Sequence, residues 1–315
     1  MMPIAQPRET TAAQAGSTTP ALVRWAAFPL ILGATIGGAI VMTERGVAPP
    51  TIVLIVATAA IALILGAERL WPYLPTWNRS HGDGRTDLAH VLVSGIGMTN
   101  LAKPIVLALG VTLAGTLERA VGLPLWPGAW PLWAQLALAL VIAELPQYWL
   151  HRLEHERDLL WRFHSIHHSA PRLYWLNAAR FHPVDLLLLY VVGYLPLVLL
   201  GCPESVIALF ALFDSVFGML QHSNIDVRIG PLNYIFSMAE PHRWHHSLRL
   251  EEANTNYGSN LMVWDLVFGT FFLPANRPGP EGIGIPEMPG FPTDWRNQVV
   301  APFRWRQVQA ESRPR

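Results

Sequence analysis

The stretch LHRLEHERDLLWRFHSIHHS, residues 150–169, decides how this chain is read. In it His151 and His155 sit four apart, and His164, His167 and His168 follow as His-x-x-His-His. Helical side chains three or four positions apart share a face, so five imidazoles are aimed in two convergent groups. The second pattern recurs in PHRWHHS as His242, His245 and His246. Eight of the twelve histidines thus fall in three tight motifs. Without a ligand, imidazoles packed so closely repel on protonation; a shared cation removes that cost.

Composition narrows the cation chemistry. The single cysteine, Cys202, excludes disulfides, iron–sulfur clusters and thiolate zinc sites as organising features, so a metal must be held by nitrogen or oxygen. Imidazole suits zinc, copper, iron and nickel, and one tetrahedral zinc is satisfied by four ligands. Eight motif histidines, with His222 of LQHSN as a ninth, suit two ions with room for oxygen or substrate. His81 and His90 lie outside the motifs and are expected to be structural; His182, in RFHPVD, is expected to hydrogen-bond a ligand rather than bind metal itself.

The remainder of the chain is apolar. Formal net charge is zero and 14% of residues are charged against 51% hydrophobic, which argues against nucleic-acid binding and against disorder. Thirteen Trp and twenty-seven Pro fit a chain solvated by lipid. The predicted fold class is therefore an all-α integral membrane protein with about four transmembrane helices, a membrane-dipping hairpin and a cytoplasmic-side helical cap. Residues 1–20 read as a disordered tail. Spans are predicted over Ala21–Met42, Thr51–Ala67, Leu88–Gly115 and Pro131–Leu150, within a transmembrane region 21–150. Arginine-rich loops place the N-terminus and the histidines on the cytoplasmic side, and four crossings agree. The apolar runs Pro183–Gly201 and Glu204–Leu220 read as a hairpin, 183–220, that dips into or crosses the membrane and returns the later motif to the earlier one. It lies inside a histidine-rich catalytic region, 151–273. Leu261–Leu273 is too short to span and is expected at the interface or over the histidines. The Pro- and Arg-rich residues 274–315 read as a soluble C-terminal extension.

The order HRLEH, HSIHH, a lone histidine after an apolar hairpin, then HRWHH resembles the fatty acid hydroxylase/sterol desaturase superfamily of integral-membrane di-iron enzymes. RFHPVD, QHSN and NYGSNLMVWDLVFGTFF resemble stretches of its bacterial members, and the likeness covers about Glu144–Leu273. It implies that His151, His155, His164, His167, His168, His222, His242, His245 and His246 ligate two iron ions. Where some relatives carry a His-x-x-x-His pair, this sequence has only His222. The resemblance further implies O2-dependent hydroxylation or desaturation of a C–H bond in a membrane lipid such as a fatty acyl lipid, sterol or aminolipid. A separate electron donor, such as a ferredoxin or cytochrome system, and a bacterial inner-membrane location follow from it. Glu144, seven residues before His151 on the same helical face, and Asp265 are candidates to brace ligands beside His182.

Rival readings fit less well. A zinc protease needs Glu directly after the first histidine, whereas HRLEH has Glu154 at the fourth position. A haem electron carrier uses lone axial histidines, and a metal transporter places its histidines within spans.

Overall fold

The computed structural model describes residues 19–313, so the expected tail lies almost wholly outside the described residues. Among the described residues thirteen α-helices follow in order: α1 Ala21–Glu44, α2 Pro49–Leu70, α3 Gly84–Ala89, α4 Met98–Val121, α5 Leu132–Glu156, α6 Asp158–His168, α7 Pro183–Leu199, α8 Glu204–His222, α9 Ala239–His245, α10 Leu250–Ala253, α11 Val263–Phe268, α12 Trp295–Val300 and α13 Trp305–Ser312. Among the described residues there are only isolated β-bridges and no strand. A π-helical turn, His90–Gly97, joins α3 to α4 as one continuous rod.

Among the described residues, four helical stretches are long and apolar enough to cross a membrane: α1, α2, the rod Gly84–Val121, and α8. The number agrees with the sequence reading; the membership does not. α5, expected as the fourth span, is 25 residues long but buries Gln135, Glu144 and Gln147 among its apolar residues, which dilutes its hydropathy. α8 takes its place on composition and packs against α1, α2 and α5 around Phe210, Phe213 and Phe217.

α7 lies between α4 and α5. The turn after it places Gly201, at φ +75°, against the Glu118 carboxylate near the far end of α4. The α7–α8 hairpin therefore runs as deep as α4 does. Its start is fixed locally: His182 caps α7 by accepting from the Val184 N–H, and Pro183 supplies the preset φ of the first turn.

The cap is tied to the near ends of the long helices. Arg24 in α1 pairs with Asp226, and Glu68 near the end of α2 accepts from the backbone N–H groups of Trp175 and Asn224. Arg172 and Arg180 are buried and paired with Asp83 and Asp87. Residues 274–313 are not a loose extension. Ile285, Met288, Phe291, Trp305 and Val308 pack on Ile166 of α6, and Gln298 accepts a hydrogen bond from His90 at 2.8 Å. His90 is thus structural, as expected, whereas His81 is exposed.

Candidate metal centre

α5 carries His151 and His155 out of the bundle, α6 returns His164, His167 and His168 beside them, α8 ends on His222, and α9 supplies His242, His245 and His246. All nine converge. His151, His155, His164, His168 and His245 form one group and His167, His222, His242 and His246 a second, with ligand atoms in each group within 4.8 Å of one another. The groups share a wall, because the His168 and His246 rings stack at 4.4 Å. Eight of the nine are buried and His155 is partly so.

The outward nitrogens define the tautomers. His151 Nδ1 meets the Tyr257 carbonyl at 2.7 Å, His245 Nδ1 the Thr255 carbonyl at 2.8 Å, His155 Nδ1 the Asn254 Oδ1 at 3.1 Å, and His222 Nδ1 the Asn177 Oδ1 at 3.0 Å. His164 Nδ1 faces the Asp185 carboxylate at 3.1 Å. Each Nδ1 donates to an oxygen, so each Nε2 presents a lone pair inward.

That arrangement suits a bound cation. His151 Nε2 and His164 Nε2 face each other at 3.1 Å with no proton between them. His242 Nε2 lies 2.9 Å from His222 Nε2 and 3.0 Å from His246 Nε2, and one ring proton cannot satisfy both contacts. The Nε2 atoms of His155, His168 and His245 are buried with no partner. Two nitrogens at right angles and about 2.1 Å from one ion stand about 3.0 Å apart, the spacing seen here. Burial also holds His167, His168, His242, His245 and His246 well below the usual imidazole value, reinforced by neighbouring histidines, and neutral imidazole is the ligating form. The donor set therefore fits two ions bound through nitrogen.

Aromatic side chains enclose both groups. Trp161 packs on His155 at 5.2 Å and His168 at 5.4 Å, Tyr257 packs on His155 at 5.4 Å, and Phe181 stacks on His167 at 4.2 Å. The Tyr257 loop is itself pinned from below. Asp265 accepts from the N–H groups of Tyr257 and Gly258, both at 2.8 Å, and Glu144 accepts from the Asn260 N–H at 3.0 Å. Glu144 and Asp265 thus reach His151 through the loop backbone and touch no ligand. His182 is occupied as the α7 cap and by the Val299 carbonyl, so its place is structural.

A match to the fatty acid hydroxylase family model covers residues 136–270, the span that holds all nine histidines. The ornithine lipid hydroxylase OlsE of Rhizobium tropici is 42% identical over 233 residues, covering 73% of this chain and 70% of that protein. The chain belongs to the fatty acid hydroxylase family. The chain is also similar to alkylglycerol monooxygenase of Danio rerio, 34% identical over 46% of this chain and 31% of that protein, and to methylsterol monooxygenase 1 of Rattus norvegicus, 33% identical over 41% and 44%. No solved structure matches.

Within this family member, sequence reasoning missed the partners of the ligands. Asn177, Asn254, Thr255 and Tyr257 carry no motif signal, since they act through a carbonyl or a side-chain amide. Asp185 and Glu154 were visible as carboxylates in an apolar run and between two histidines; their convergence on His164 was not.

Proposed function

We propose that this protein is an O2-dependent hydroxylase of a membrane lipid, with nine histidines holding two iron ions. The observation that carries the reading is the pair of adjoining imidazole groups whose inward lone pairs only bound cations reconcile. Two irons, supplied with O2, electrons and protons, provide insertion of one oxygen atom into an unactivated C–H bond, with the second oxygen leaving as water. The chain's own contribution is placement. Nδ1 hydrogen bonds hold the rings of His151, His155, His164, His222 and His245 at their angles, and Trp161, Tyr257 and Phe181 keep bulk water from the centre.

Kinship to an ornithine lipid hydroxylase makes an aminolipid the first substrate to test. Hydroxylation is favoured over desaturation because the relatives named above are hydroxylases and monooxygenases. The electrons come from a separate donor of ferredoxin or cytochrome type. The arginine pattern supports an inner-membrane protein with its centre on the cytoplasmic side. Residues 21–150 then serve as membrane anchor, 151–273 as catalytic region with the 183–220 hairpin crossing beside α4, and 274–315 as its cover.

Lipid extracts of cells expressing the wild type or His164→Ala test this. A wild-type-specific lipid heavier by one oxygen, with about two irons per purified chain, is the expected result. Stoichiometric haem, or identical lipid profiles in iron-replete cells, overturns it.

A further inference from the structure

His164 differs from its neighbours in what stands behind it. The outward nitrogens of His151, His155, His222 and His245 meet neutral oxygens. His164 Nδ1 instead lies 3.1 Å from Asp185 Oδ2 and 3.4 Å from Glu154 Oε2. Both carboxyl groups are buried, and the Glu154 side chain hydrogen-bonds that of Asp185. Neither carboxylate is paired with an arginine or lysine; among the described residues, their ion-pair contact is His164. Burying acidic groups is costly, and the hydrogen-bonded Glu154–Asp185 pair presents what charge it carries to His164 Nδ1 as one unit. His164 Nε2 points into the five-histidine group, 3.1 Å from His151 Nε2.

Three helices are required to build this contact: Glu154 comes from α5 between two ligands, His164 from α6, and Asp185 from the first turn of α7. The RFHPVD segment is explained by it. His182 caps α7 and Pro183 starts it, which fixes the turn that delivers Asp185 to the back of a ligand.

We propose that Asp185, with Glu154 beside it, is a positioning residue that orients His164 and strengthens it as a donor, making the five-histidine site the more electron-rich of the two. A carboxylate accepting the Nδ1–H raises the basicity of the opposite nitrogen and fixes the ring's angle, and loss of such a partner weakens metal binding by about 10- to 100-fold. The proposal rests on the two-ion reading of the centre.

The test uses the full chain in detergent, stripped of metal and titrated with cobalt(II) against a competing chelator, with the ligand-field bands recorded. Wild type is expected to take two cobalt ions, and Asp185→Asn to weaken one site about 10- to 100-fold and shift its bands, with a smaller loss at the other site and its bands unchanged. Asp185→Glu should restore affinity in part, which a purely structural role does not predict. Glu154→Gln, isosteric, gives a second reading of the same site should the α7 variant fold poorly. Wild-type affinity and bands in both Asp185→Asn and Glu154→Gln overturn the proposal. A wild type that binds no cobalt overturns the two-ion reading and the proposal with it, whereas equal weakening of both sites overturns the proposal alone.

Discussion

His245 shows what one side chain does here: its Nδ1 is anchored on the Thr255 carbonyl, leaving a buried Nε2 with no protein partner. Truncation to His245→Ala removes a ligand that nothing nearby replaces. Turnover should fall below detection and metal analysis should show loss of bound iron, while exposed His81→Ala leaves both unchanged. Acid acts on the same groups. Burial keeps His168, His242, His245 and His246 unprotonated in the folded chain, whereas in the unfolded chain they titrate near 6.5. Between those values the unfolded state binds more protons, so stability falls as pH drops below about 6.5. Thermal unfolding of metal-free protein should therefore move to lower temperature from pH 7.5 to 5.5, and bound metal should reduce that change. The motif histidines were legible in the sequence as groups because spacings of three and four encode a helical face. Their partners were not: Tyr257 meets His151 from 106 positions away, and a backbone carbonyl leaves no mark on residue identity.

The loop from Asn256 to Leu261 is the element on which the first ion group leans. Its two ends are held by buried carboxylates, Asp265 under Tyr257 and Gly258, and Glu144 under Asn260. Gly258 is required by space: a Cβ there would lie 2.2 Å from the Leu261 carbonyl oxygen and 3.0 Å from Asp265 Oδ2. Gly258→Ala should cost about 1–3 kcal/mol in unfolding free energy and lower iron retention on dialysis, because the displaced loop carries the carbonyl that orients His151. Glu144 and Asp265 were singled out from sequence as braces, and both brace, but at one remove from the imidazoles. The sequence could show that a buried carboxylate needs donors; it could not show that the donors are the N–H groups of a distant loop.

Across the whole molecule, the histidine motifs close on each other because the α7–α8 hairpin leaves the centre at Asp185 and returns to it at His222. Its far turn stands beside Glu118, level with the end of α4. Cysteine scanning on a Cys202→Ser background checks the orientation. A cysteine at Glu204 should react with a membrane-impermeant maleimide in intact spheroplasts, and one at Arg157 only after lysis; the reverse pattern would invert the topology. The fold class and the hairpin could be read from apolar run lengths. The inward placement of α5's polar residues Gln135, Glu144 and Gln147 could not, since it depends on which helices pack around them.

The stacked rings of His168 and His246 belong to different groups, and His167 and His168 are chain neighbours. An ion arriving in one compartment therefore sets the rings that border the other, which lowers the ordering cost for the next arrival. Occupancy should be cooperative, so a preparation supplied with half its metal holds mainly filled and empty chains and few singly loaded ones. Average occupancy then reports the fraction of fully assembled molecules directly, where independent sites would make it overstate that fraction.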